Sequence, residues 1–300
     1  MSFRSEIDKL LGRRADMLTK LIVINVIVFI LANILNEIFK AAGYGNEYIS
    51  DFFVLPSSFG MLLYRPWTII TYMFLHVELW HIVFNMLSFY WFGIIFTDFM
   101  SNKKLLYTYL LGGIAGGFLF IIFSTLITLS HSIFLYQVFM PGLPLLGASA
   151  GIMAVIIATA VLVPEYELRL IFFGPVKLKY LALGIFILSS LIFFTDNSGG
   201  KIAHIGGALY GLLYMYQYKK GTDYAEYASN FVNRIGSLFS FKRSGPTLKK
   251  SGGSGTKQKG ASVDEKQKKI DAILDKISAS GYDALTKEEK DFLFKSTKGS

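Results

Sequence analysis

Four polar side chains stand in otherwise apolar stretches of this chain: Ser149, His204, His81 and Asn85. A serine and a histidine are the minimal pair for nucleophilic hydrolysis, because a hydroxyl attacks poorly until an adjacent base takes its proton. His81 and Asn85 are four residues apart, hence on one face of a helix. Both can donate a hydrogen bond to an oxyanion.

Ser149 lies in Gly147-Ala148-Ser149-Ala150-Gly151. A G-x-S-x-G pattern can mark the nucleophile elbow of an α/β-hydrolase, but that elbow needs a strand before it and a soluble sheet around it. Here a Pro/Gly/Leu loop (141–146) precedes and an apolar stretch follows, so the elbow reading fails on context. What remains is a serine at a helix N-terminus, where orphan amides and the positive dipole end favour a developing oxyanion. Taken alone, the pentapeptide fits a packing serine or an N-cap better than a nucleophile. His204 precedes Gly207 and Gly211, a G-x-x-x-G that lets another helix approach closely, and shares their face. Alone it is equally well read as a structural hydrogen-bonding group; together with Ser149 it favours catalysis. Asp196 precedes His204 and is available to orient it, although a Ser–His dyad without an acid is the simpler reading. A metal site built on His76, His81 and His204 is disfavoured, since there is no H-E-x-x-H and no carboxylate to complete it. Glu78 reads as a solvated or capping residue. No cofactor is expected.

The elements that must position these groups are membrane helices. The chain has 300 residues, 53% of them hydrophobic and only 17% charged, with 27 Phe, 17 Tyr and no cysteine. That excludes a disordered chain, a disulfide scaffold and a cysteine nucleophile. The apolar residues come in blocks, and a helix needs about 20 of them to cross a bilayer. Six blocks qualify as spans: 21–39, 76–96, 105–129, 149–163, 180–194 and 202–218. Period-two alternation is absent, so the fold class is all-α, a polytopic six-transmembrane-helix bundle, not a barrel. Ser149, His204, His81 and Asn85 then all fall near the same end of even-numbered spans, at one depth.

Orientation follows from Lys and Arg. Twelve flank one side of the spans (Arg4, Lys9, Arg13, Arg14, Lys20, Lys103, Lys104, Arg169, Lys177, Lys179, Lys219 and Lys220) and three the other (Lys40, Arg65 and Lys201). The basic side is cytoplasmic by the positive-inside rule, which puts both termini in the cytoplasm and the four polar residues toward the outer face. A cleaved signal peptide is disfavoured by the length of the first apolar block. The loop 40–75 is too apolar for a solvated connection and is expected to lie in the outer interface.

Four segments result: a basic cytoplasmic N-terminal segment (1–20), the membrane domain (21–220), a linker (221–262, Gly/Ser/Lys-rich from Phe241) and a small cytoplasmic helical hairpin (263–300). The basic surplus sits in the tail, where residues 219–300 hold 17 Lys/Arg against 10 Asp/Glu. In the hairpin, Ile270, Ile273, Leu274 and Ile277 follow helical spacing. Gly281 suits a C-cap, Thr286-Lys287-Glu288-Glu289 suits a capping box, and Phe292 and Leu293 supply the second apolar face. The hairpin docks on an unknown cytoplasmic partner, oligomerises, or is a solvated end. Nucleic acid is excluded as a partner, because its lysines alternate with acids.

Together these residues resemble the rhomboid family of intramembrane serine proteases, over roughly residues 20–218. The resemblance rests on His76-x4-His81-x3-Asn85, Gly147-Ala148-Ser149 and Ala203-His204-x2-Gly207-x3-Gly211, in that order. It implies a six-helix core with a cavity opening outward, Ser149 as nucleophile and His204 as base. His81, Asn85 and the Ser149 amide would hold the oxyanion. The implied location is the cell membrane and the implied partners are the lipid bilayer and transmembrane protein substrates, cut near the outer surface. Three positions depart from the family pattern: Ala150 stands for a glycine, Met153 for a tyrosine, and Thr68 follows Trp67 where the family has arginine. Ala and Met keep bulk and apolarity. Rival readings are an inactive relative that binds membrane clients and a transporter or channel. The first would not need all four polar groups; the second usually carries charges near mid-membrane. A helical substrate must unwind to expose its scissile carbonyl, so spans carrying Gly, Ser or Pro are expected to be preferred.

Overall fold

The computed structural model describes residues 16–44, 48–134, 144–170, 174–192 and 197–239, and near the C-terminus 270–297 except 271, 274 and 278–283. Residues 1–240 form one compact unit and 241–300 a second.

The first unit begins with α1 (Met17–Ala41), started by Asp16, whose carboxylate accepts from the Thr19 amide at 2.7 Å. The loop that follows folds as short helices, α2 (Tyr48–Phe53), α3 (Phe59–Tyr64) and α4 (Thr68–Thr71), and a 3-10 turn over Tyr72–Phe74. Then come α5 (Leu79–Phe99), α6 (Asn102–Leu129) and α7 (Ser149–Leu162). A small antiparallel hairpin, β1 (Glu167–Leu170) and β2 (Gly174–Lys177), leads into α8 (Leu178–Ser190). The unit ends with α9 (Ser198–Lys219) and α10 (Tyr224–Phe239).

All six expected spans appear as helices, with ends shifted by a few residues. Among the described residues, α1, α5 and α6 are long and apolar enough to cross a membrane, while α7 and α8 are apolar but shorter. Three differences from the sequence reading stand out. The second helix begins at Leu79, so His76 lies before it in extended chain. The fold is not purely helical, since β1 and β2 pair. The segment expected as linker from 221 onward begins with a helix, α10, because its apolar residues recur at helical spacing.

The centre is α7, nearly every residue of which is buried, packed between α6 and α9. Glycine makes this packing close. A Cβ on Gly207 would lie 2.0 Å from the Ala150 carbonyl oxygen, and one on Gly211 2.3 Å from that of Ala154. On the other side, a Cβ on Gly206 would meet the Cα of Gly116 at 2.7 Å. Backbones this near are the use of small residues where no hydrophobic driving force separates helix from lipid. The face carrying His204 is thereby held against the helix that begins with Ser149.

In the second unit, the Thr286 amide donates to Glu289 at 2.8 Å and the Glu289 amide to the Thr286 hydroxyl at 3.3 Å. That is the reciprocal capping box, and it starts α11 (Lys287–Thr297). Lys276 bonds Glu289 at 2.9 Å, and Ile273 and Leu285 are buried. Gly281 lies outside the described residues.

Candidate active site

Ser149 is the first residue of α7. His204 is in the second turn of α9. Their side chains meet, with Ser149 Oγ 2.7 Å from His204 Nε2. The other ring nitrogen, Nδ1, lies 3.1 Å from the carbonyl oxygen of Ser189. A carbonyl can only accept, so Nδ1 carries the proton and Nε2 of the neutral ring accepts from the serine hydroxyl. Ser189 is in the last turn of α8, where carbonyls have no partner within the helix. The orienting group is therefore a helix-end carbonyl. Asp196 lies outside the described residues.

The loop entering Ser149 is fixed by four hydrogen bonds at three of its residues. Leu145 and Leu55 exchange amide–carbonyl bonds at 2.9 Å each way. The Gly147 amide donates to the Tyr72 carbonyl at 2.9 Å, and the Ala148 amide to His76 Nε2 at 3.3 Å. Gly147 has φ +114, a conformation that L-residues rarely adopt. A Cβ there would also meet the His81 ring at 2.8 Å, so glycine is required twice over. The support continues outward: the Tyr72 hydroxyl donates to the Gly113 carbonyl at 2.7 Å and the Tyr109 hydroxyl to the Met73 carbonyl at 2.9 Å.

His81 and Asn85 both reach this loop from α5. The His81 ring lies against Gly147 and borders an open cavity of about 380 Å³ lined also by Val77, Glu78, Pro144, Leu145, Leu146 and Asn197. The Asn85 Nδ2 lies 3.9 Å from where a Gly147 Cβ would be and donates to His76 Nε2 at 2.9 Å. The structure thus brings all four expected residues to one end of the bundle.

His76 is the residue whose place the sequence reading missed. The sequence offers it as the first residue of a span and as a disfavoured metal ligand. It is fully buried, and its Nε2 faces both the Ala148 amide and the Asn85 amide group. The signal was its spacing from His81 and Asn85; hidden was that it precedes the helix and folds back. Asn33 of α1 donates to the His76 carbonyl at 3.3 Å, holding that turn. Among the described residues, no three His, Asp or Glu side chains are grouped to hold a metal ion.

The departures from the family pattern take defined places. Ala150 and Met153 are both buried in α7, and the Ala150 methyl fills the space beside Gly116. Beside position 68, Arg65 donates to the Asp51 carbonyl at 2.9 Å, the Trp67 indole donates to the Phe52 carbonyl at 3.1 Å, and Thr68 itself donates to the Arg65 carbonyl at 2.7 Å.

Apolar helices bundled around a serine and a histidine that meet at one end define a multi-pass membrane protein. The chain belongs to the rhomboid family: the family model described as Rhomboid domain matches residues 64–220. Residues 262–296 match a second model, a family of unknown function, DUF6576. A similar protein is the RHOMBOID-like protein 12, mitochondrial, of Arabidopsis thaliana, 27% identical over 219 residues. The match covers 69% of this chain and 59% of that relative's length.

Proposed function

We propose that this protein is an intramembrane serine endopeptidase that cleaves transmembrane segments of other proteins near the outer membrane face by a Ser149–His204 dyad. The observation that carries the reading is the 2.7 Å Ser149–His204 contact with Nδ1 committed to the Ser189 carbonyl, in a chain of the rhomboid family. In this mechanism His204 Nε2 takes the hydroxyl proton as Ser149 Oγ attacks the scissile carbonyl carbon. The charge moves to the carbonyl oxygen, which the Ser149 amide, the free N–H of Asn85 and His81 stabilise. The imidazolium is stabilised by the Ser189 carbonyl at the negative end of α8. It returns the proton to the departing amine, leaving an acyl-serine. Water, deprotonated by the same nitrogen, releases the acid.

The topology proposed with it is six spans with both termini cytoplasmic, in the cell membrane, with the C-terminal segment free to meet a cytoplasmic partner. The 14-residue α7 supports a recessed site. It is about 21 Å long at 1.5 Å per residue, shorter than the roughly 30 Å hydrocarbon core. Its first residue therefore starts below one surface, where water must enter through a cavity.

The test is labelling of the detergent-purified protein with a fluorophosphonate. The wild type is expected to label and Ser149→Ala not to. Equal labelling of both removes the nucleophile assignment, and an unlabelled wild type that also leaves a reconstituted transmembrane substrate uncut makes the chain a non-proteolytic client binder.

A further inference from the structure

α10 is an unusual end for a membrane bundle. Its first turn is pinned to the ends of α6 and α9 farthest from Ser149. The Asp223 carboxylate accepts from the Ala225 and Glu226 amides at 3.1 and 3.3 Å, from the Tyr214 hydroxyl at 3.1 Å, and from Lys104 at 3.1 Å. Ala225 and Ser229 are buried against the body. Beyond that turn the helix presents Tyr227, Phe231 and Ile235, four residues apart and so on one side; Phe231 is 64% exposed. Glu226 and Asn233 lie on the far side of the helix beside the buried Ser229, with Asn230 on the polar flank between them and Tyr227.

A side this apolar is not left to water, and two observations say what covers it. The first is continuity. The helix leaves the bundle at the level of Lys103, Lys104, Lys219 and Lys220, the cationic end of the apolar helices, where Leu212, Leu213 and Tyr216 of α9 are exposed as well. The second is charge. Between Glu226 and Asp264 the sequence has seven Lys or Arg, beginning with Arg234 and Lys242-Arg243, and no Asp or Glu. An amphipathic helix with aromatic residues on one side and a basic continuation has the chemistry of an anionic membrane surface. A second protein would need no such one-signed charge.

We infer that α10 lies in the headgroup region of the leaflet opposite the Ser149 end, with Tyr227, Phe231 and Ile235 in lipid, and that it binds anionic phospholipid there. The inference rests on the membrane bundle, not on proteolysis.

The chain has no cysteine, so single-cysteine variants report cleanly. Phe231→Cys, Ile235→Cys, Asn230→Cys and Asn233→Cys are made in the full chain, spin-labelled and reconstituted in phosphatidylglycerol/phosphatidylethanolamine vesicles. Collision with oxygen and with a water-soluble nickel chelate is measured. The 231 and 235 labels are expected to be oxygen-accessible and severalfold less nickel-accessible than the 230 and 233 labels, at a depth of about 5–10 Å. Replacing phosphatidylglycerol by phosphatidylcholine is expected to raise nickel access at 231 and 235. Equal nickel access on both sides overturns the proposal. So does shielding of 231 and 235 from both reagents, which would mean a protein partner. Indifference to phosphatidylglycerol overturns the assignment to anionic lipid.

Discussion

His76 Nε2 lies 2.9 Å from the side-chain amide of Asn85 and 3.3 Å from the Ala148 N–H, so one ring nitrogen joins the candidate oxyanion donor to the loop that delivers Ser149. Both contacts are with donors, so the nitrogen is an acceptor and the ring is neutral. Of the two N–H bonds on Asn85, one is spent on His76.

His76→Ala would therefore strand two buried donors, at a cost of about 1–3 kcal/mol each. The expected result is a kcat lowered at least tenfold with KM nearly unchanged, accompanied by a lower Tm. His76→Gln, which offers a carbonyl oxygen as acceptor, is expected to recover part of kcat. Kinetics on a reconstituted transmembrane substrate decide it. If His76 only fills space, His76→Leu would match His76→Gln.

The dyad and the oxyanion donors differ in what their loss does. His204→Ala is expected to reduce turnover to background, since Ser149 then has no base. Asn85→Ala is expected to lower kcat by about 10²–10³ with little change in KM, because the charge it meets exists only in the transition state. A fully active Asn85→Ala, or a His204→Ala more active than Asn85→Ala, contradicts the assignment.

Glycine contacts separate packing from composition. A Cβ on Gly207 would sit 2.0 Å from the Ala150 carbonyl, so Gly207→Ala must push α9 from α7. A loss of about 1–3 kcal/mol or more is expected, with Ser149 and His204 drawn apart and activity lost. Gly184, in α8, has nothing within 4 Å of its would-be Cβ. Gly184→Ala is expected to stabilise by about 0.5–1 kcal/mol. Thermal denaturation in one detergent, run on both, is the comparison.

Outside the membrane segments, Glu165 accepts from Lys177 at 2.7 Å and from Lys179, and these bonds lower its pKa from 4.5 to about 2. A carboxyl depressed in the folded state stabilises it above its ordinary value and loses that contribution as pH falls. The bond from the Leu178 amide to the Tyr166 carbonyl beside it should thus lose hydrogen-exchange protection between about pH 4.5 and 2. Glu165→Gln is expected to remove that pH dependence. Because the pair is exposed, Tm is expected to change little.

Much of this was legible in the sequence. Each of the six apolar blocks coincides with a helix, because nothing but a helix satisfies the backbone in lipid. The glycines at 207 and 211 announced a close neighbour, and α7 is that neighbour. Ser149, His204, His81 and Asn85 stand out because each is costly where it stands. His76 was misplaced because hydropathy continues through it while the helix does not: the chain at 76 is extended, and a window of apolar residues does not register that turn. α10 was read as linker because the Gly/Ser/Lys-rich stretch after Phe241 dominated the composition around it. The Ser189 carbonyl had no signal at all, since every residue carries one.

That last contact makes part of the base invisible to side-chain replacement. No substitution at Ser189 deletes its carbonyl, so an alanine scan would register both side chains of the proposed dyad and pass over the group that orients the imidazole. The imidazole's tautomer is written into the register of α8 against α9, and only a change that shifts or breaks the last turn of α8 could erase it.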